Sequence, residues 1–162
     1  MHVGLRITLD APVDAVRDAL LSPAVMVAVT KPLLVYRSRD PQGFPPRWVP
    51  GAAPGHGERL RGGAERDTHV DLDVYEVRGV RVQRDRGGGT SGLFGQMAIQ
   101  HRMATVDVGG GRTLLLDRLV YRTRPALLGV LLWPGMWVVW QWRGLRMRTL
   151  APGWRRPRRA AA

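Results

Sequence analysis

The chain has 162 residues, enough for one domain with a sizeable core, and its 44 % hydrophobic content is that of a globular protein. It has no cysteine, which excludes a disulfide framework and a thiolate metal site and accords with a cytoplasmic location. The net charge of +12 is nearly all arginine, with lysine only at Lys31; it reads first as an arginine-biased composition with a solvated tail, and otherwise as a preference for acidic partners, nucleic acid or an anionic membrane surface.

The N-terminus, "MHVGLRITLD", lacks the basic region and long apolar run of a signal peptide. Within it His2–Leu9 alternates Val3, Leu5, Ile7 and Leu9 with polar or small residues, a strand pattern. Asp10 is placed to cap a helix carrying Val13, Val16 and Leu20 at helical spacing, and Pro23 ends it and opens a second short helix to Thr30. Leu33–Arg39 reads as a strand, and Asp40–Gly57, dense in proline and glycine, as a surface loop. A weak strand over Glu58–Gly63 is followed by stronger ones over Thr68–Val77 and Val80–Arg84, with Asp71 and Asp73 on the solvent side. Gly87–Gly95 is a glycine-rich connector. Gln96–Val108 and Arg112–Thr123 are long strands joined at Gly109–Gly111, a hairpin signal.

The stretch "LLGVLLWPGMWVVWQW", Leu127–Trp142, holds four of the six tryptophans. A membrane span needs about 20 apolar residues. The uncharged window Pro125–Trp142 falls short of that and contains Pro134 and Gly135. Proline suits a first helical turn, so a helix is expected from about Pro134 to about Leu150. Trp133, Trp137, Trp140, Gly144 and Met147 then form one apolar stripe facing a sheet, with Arg143 and Arg146 on another side. A second stripe, Val138, Trp142 and Leu145, offers a surface to a second copy of the chain or to a membrane surface; the outer face of the sheet is the other candidate for a homodimer. The order of elements predicts one α+β domain over 1–152, with helices on one face of a mostly antiparallel sheet, and a basic tail over 153–162 that is expected to be disordered.

This layout resembles the START-like superfamily, also called SRPBCC or polyketide cyclase/dehydrase and lipid-transport proteins. The residues that carry the likeness are "ITLDAPVDAVRDAL" and a later progression: Phe94, His101, Arg112-Thr113, Leu115, Asp117, Leu119, Tyr121, Leu128-Gly129, then the long helix. The segment Asp40–Arg66 departs from the pattern. The resemblance implies a helix-grip fold, in which a curved antiparallel sheet wraps the C-terminal helix and leaves a cavity. It also implies a hydrophobic small-molecule ligand or, in some members, cyclase or aromatase activity.

Alternation puts Met97, Ile99, His101 and Met103 on one face of their strand and Leu115, Asp117, Leu119 and Tyr121 on one face of the next. A hairpin closed at Gly109–Gly111 sets His101 opposite Asp117 or one step diagonal from it. If that face looks inward, the two form a polar anchor for a ligand, a general base held by a carboxylate, or a satisfied buried pair. The other face, with Leu114, Leu116 and Val120, is also apolar, so the sequence leaves the inner face open. The expected ligand-binding set is Tyr75, Ile99, His101, Met103, Asp117, Leu119, Tyr121, Trp137, Trp140, Gly144 and Met147. His101, Asp117 and Tyr121 are the catalytic candidates.

"GGGTSG", Gly87–Gly92, matches a dinucleotide fingerprint in letters only, because a strand and not a helix follows it. The four histidines lack zinc-ligand spacing, and there is no P-loop or G-x-S-x-G, so no metal or cofactor is expected. Binding of a hydrophobic small molecule or lipid is the leading expectation. A cyclase, aromatase or dehydratase comes next. A salt-dependent nucleic-acid or anionic-surface binder acting through "WRRPRR", Trp154–Arg159, comes last, with nucleic acid disfavoured.

Overall fold

The computed structural model describes residues 1–52, 54–62, 65–90 and 96–155. Residues 91–95, with Phe94 and the end of the glycine-rich connector, lie outside the described residues, as does most of the arginine-rich tail, 156–162. The elements are β1 (His2–Leu9), α1 (Val13–Leu20), α2 (Pro23–Thr30), β2 (Leu34–Ser38), β3 (Gly55–Leu60) and β4 (Arg66–His69). They continue with β5 (Leu72–Val77), β6 (Val80–Asp85), β7 (Gly88–Thr90), β8 (Gln96–Asp107), β9 (Thr113–Thr123) and α3 (Ala126–Trp154).

The fold is α+β. The curved main sheet is antiparallel in the order β1-β9-β8-β6-β5, with β7 paired to β8, and β2-β3-β4 form a second sheet. The three glycines at 109–111 adopt φ of +79°, +63° and +66°, a left-handed run that residues with side chains rarely adopt, and so turn β8 into β9. The register pairs Met103 with Asp117 and His101 with Leu119, so His101 and Asp117 are diagonal neighbours. The inner face of β9 is Thr113, Leu115, Asp117, Leu119 and Tyr121, all buried, while Leu116 and Arg118 are exposed. The hydrophobic pattern alone left this open because both faces are apolar. The two short helices and α3, packing on the inner face alone, decide it.

Several boundaries differ from the sequence reading for identifiable reasons. The strand expected over Thr68–Val77 breaks at Val70–Asp71, where the chain passes from the small sheet to the main one. The segment read as a surface loop is partly packed: Trp48 is buried, its N–H donates to the Leu21 carbonyl at 2.8 Å, and β3 starts within the segment. Pro12, not Asp10, occupies the N-cap of α1, and Asp10 instead pairs with Arg155.

The largest difference is α3. It starts at Ala126 and carries Pro134 inside it. A proline there removes one backbone donor; Val130 and Pro134 both lie on the exposed side, where the carbonyl left over is not buried away from solvent. The buried residues Val139, Trp140, Arg143, Gly144, Met147 and Ala151 mark the face turned to the sheet. Trp133 and Trp137, expected on that face, are exposed; the Trp133 indole reaches the His2 carbonyl at 2.9 Å, at the start of the edge strand β1. At its far end α3 runs to Trp154, whose ring packs against the core group of Leu9, Val16, Leu115 and Met147. Among the described residues no helix is long and apolar enough to cross a membrane.

Gly144 is where α3 meets β1. A Cβ there would come within 3.1 Å of Leu5 Cδ2, so the helix rests on β1 because this position has no side chain. Gly144→Val is expected to lower unfolding free energy by about 1–3 kcal/mol through overpacking, measured by urea denaturation, and a change near zero would show that Leu5 yields freely.

Candidate ligand-binding site

A cavity of about 380 Å³ lies between α2, α3, the inner face of the β8–β9 hairpin and the small sheet. Its walls include Ile99, Met103 and Leu119 from the hairpin and Met136, Val139 and Met147 from α3. His101 and Trp140 supply polar atoms on the same wall. A larger groove of about 790 Å³ crosses the outer face of the sheet beside Tyr75, Arg102 and Arg118. That groove is shallow and open, so a ligand there would stay largely in water, and the inner cavity is the better candidate.

Within the expected set, the structure brings Ile99, His101, Met103, Leu119, Trp140 and Met147 to the cavity wall. Asp117 lies behind His101. Four residues stand elsewhere. Tyr75 is on the outer face, with the Arg84 guanidinium 5.2 Å from its ring centroid, because β5 turns its odd positions outward. Tyr121 is buried and its hydroxyl donates to the Gly129 carbonyl at 2.9 Å, which removes it from any set with His101 and Asp117 at the cavity. Trp137 is exposed, and Gly144 is filled by Leu5.

The polar cluster is built around Asp117, whose side chain is wholly buried. His101 Nε2 lies 2.7 Å from Oδ1, the Trp140 indole donates to the same oxygen at 3.1 Å, and Arg143 Nε donates to Oδ2 at 3.1 Å. Burial on its own raises the Asp117 pKa, but the charges of His101 and Arg143 and the hydrogen bonds from His101 and Trp140 outweigh it and hold the carboxyl at about 2. An ionised carboxylate only accepts, so Nε2 of His101 carries the hydrogen, and Nδ1 is the ring nitrogen not engaged by Asp117. The Trp140 ring meets the imidazole edge-on at 5.2 Å and fixes its plane.

Arg143 is the residue the sequence reading misplaced. The expected stripe leaves it on another side of α3, yet it is buried with Trp140 and Met147, touches Met103 Sδ at 3.3 Å and stacks its guanidinium 5.8 Å from the Trp140 centroid. The signal was present: Arg143 is the first charge after the uncharged run, and a buried Asp117 needs a cation.

The far wall was not foreseen. His56 on β3 is buried among Tyr36, Phe44 and Trp48, with ring centroids 5.5, 6.2 and 6.4 Å away. Burial lowers its pKa, which keeps the imidazole neutral. Asp85 on β6, paired in register with His101, also lines the cavity. Its Oδ1 accepts the N–H groups of Asp71 at 3.0 Å and Gly87 at 2.8 Å, and burial raises its pKa. The raised pKa means that ionised Asp85 costs stability, fully at neutral pH and not at all once the carboxyl is protonated in both folded and unfolded states. Asp85→Asn keeps an oxygen for both N–H groups, so the variant is expected to melt above the parent at pH 7. That gain should disappear as pH falls below the ordinary carboxyl range. A variant that melts lower at both pH values would contradict this reading.

Among the described residues no group of three or more His, Asp or Glu side chains is placed to hold a metal ion. No protein-family description matches the chain, and no curated protein does. Solved structures do. Protein CV1439 from Chromobacterium violaceum superimposes with a TM-score of 0.65 at 14 % identity, over 93 % of this chain and 96 % of that one. The hypothetical protein jhp0584 from Helicobacter pylori gives 0.68 at 10 % identity, over 93 % and 88 %. Protein Ms6760 from Mycobacterium smegmatis gives 0.64 at 13 % identity, over 92 % and 89 %. At these identities the likeness is one of fold, and it spans nearly the whole chain.

Proposed function

We propose that the chain is a START-like protein that binds a largely apolar small molecule in the cavity between the sheet and α3, with the ligand's polar group against His101. One observation carries the reading: a cavity of about 380 Å³, walled mostly by aliphatic and methionine side chains, meets the fixed, hydrogen-bonded cluster of His101, Asp117, Trp140 and Arg143. That volume falls within the range of about 300–1,000 Å³ usual for small-molecule sites, and few polar groups in an apolar wall are what orients such ligands. Asp117 holds His101 by Nε2, which leaves Nδ1 as the ring nitrogen for a polar group of the ligand. The order of elements and the position of the cavity support the superfamily assignment.

Proton-transfer catalysis of cyclase or aromatase type is the second reading. It rests on the same His101–Asp117 geometry, that of a base oriented by a carboxylate. Tyr121 takes no part in it; His56 and Asp85 also line the cavity, and His101 is the base there that a buried carboxylate orients.

Native mass spectrometry of the protein purified from its own host tests the proposal. A retained apolar molecule at one per chain is the expected result, and its loss in Ile99→Trp would place it in the cavity. A bare chain with an unaltered affinity for every hydrophobic probe after that substitution would overturn it.

A further inference from the structure

The outward side of α3 is unlike a solvated helix face. Leu127 is 67 % exposed, Leu131 70 %, Val138 51 % and Leu145 54 %, and their spacings of 4, 7 and 7 residues place them on one stripe. Val130 and Trp137, also exposed, flank it. No charge lies between Arg124 and Arg143. A contiguous apolar patch of this kind marks an interaction surface. We propose that this face docks on an anionic lipid bilayer, with the first half of α3 lying in the plane of the headgroups.

Charge identifies the occupant. From Arg118 to the C-terminus there are ten arginines and no acidic residue. Of these, Arg124, just before the first turn of α3, and Arg148, three residues past Leu145, are exposed. The neighbouring helix α2 has no acidic residue, and the exposed Lys31 at its end is tied to α3 through the Trp142 indole, which donates to its carbonyl at 2.7 Å. A second copy of the chain would bring another face of the same sign, on a molecule of net charge +12, so self-association through this stripe is opposed. An anionic bilayer is attracted, by about 1 kcal/mol for each basic residue near its surface. Tryptophan suits the boundary between headgroup and acyl chain, which fits the exposed Trp133 and Trp137. No described helix can cross a membrane, so the contact is in-plane. Leu132 and Met136, on the same turns, line the cavity, so docking sets one cavity wall beside the lipid. The inference rests on the outer face and the charges, and holds whether or not the cavity takes a ligand.

The test is co-sedimentation of the full chain with phosphatidylcholine vesicles, with and without phosphatidylglycerol, across a salt series. Binding is expected only with phosphatidylglycerol and is expected to weaken with salt. The pair Leu131→Gln and Val138→Gln, which changes no charge, is expected to weaken it by about tenfold or more with an unchanged melting temperature. Three results would each overturn the proposal: no binding to the anionic vesicles at low salt, binding that the glutamine pair leaves intact, or a dimer in analytical ultracentrifugation that the pair converts to monomer.

Discussion

Asp117→Ala is expected to cost about 3–5 kcal/mol of unfolding free energy, the magnitude for breaking a buried ion pair by removing one partner. The wholly buried carboxylate is the common acceptor for His101 Nε2, the Trp140 indole and Arg143 Nε. Its removal strands a buried guanidinium, an indole N–H and an imidazole N–H without their acceptor. His101→Ala is expected to cost less, about 1–3 kcal/mol, because Asp117 keeps Arg143 and Trp140. Replacing the ion pair as a unit, Asp117→Leu with Arg143→Met, is expected to recover most of the loss, since two apolar side chains then fill the space of two compensating charges. Urea denaturation of the two single variants and the paired one measures all three values. Asp117→Ala within 1 kcal/mol of the parent would show that the cluster holds nothing together.

The same carboxylate sets an acid limit. Its folded pKa of about 2 lies below the ordinary value of 3.8, so the stability it contributes is complete above pH 4 and is lost as pH falls toward 2. The shift corresponds to about 2 kcal/mol at 1.36 kcal/mol per pKa unit. Asp85 acts in the opposite sense because burial raises its pKa. The acid-unfolding curve of Asp117→Asn should therefore be flatter than the parent's between pH 4 and 2, and that of Asp85→Asn steeper on the neutral side.

Much of this arrangement was legible in the sequence. Period-two alternation on both sides of three consecutive glycines fixes the hairpin, and with it the proximity of His101 and Asp117. Composition and element order give the α+β class and the single long C-terminal helix. The rest was hidden for physical reasons. Pro134 reads as a helix start because proline is usual there, but an exposed helix side tolerates it in the interior, and α3 gains its first turns that way. Taking the tryptophans as the guide to the inner face also made Trp137 look like a wall residue and set Arg143 on another side. A helical wheel gives the angle between residues, not which angle faces the sheet; a buried Asp117 in need of a cation was the clue that fixes it. The far wall of Trp48 and His56 comes from a segment whose prolines and glycines carry no periodicity, so nothing local distinguishes its packed residues from its solvated ones.

The second large effect is on binding. Ile99→Trp places an indole in the cavity on the wall opposite α3, and a cavity of about 380 Å³ cannot hold both that ring and a ligand of ordinary size. Met136→Trp fills it from the helix side. Each is expected to lower affinity for an apolar probe by about tenfold or more, equivalent to about 1.4 kcal/mol or more. Neither residue supplies a hydrogen bond to Asp117, so both variants should fold and keep the acid limit near pH 2 to 4.

The most direct measurement is a fluorescence titration with the neutral probe N-phenyl-1-naphthylamine, carried out on the parent chain, Ile99→Trp and Leu131→Gln. The ligand-cavity account predicts saturable binding at one probe per chain in the parent, the loss of that binding in Ile99→Trp, and parent-like binding in Leu131→Gln, whose side chain lies on the opposite side of α3. Probe binding that is lost in Leu131→Gln and kept in Ile99→Trp would place the apolar site on the outer surface and contradict the account.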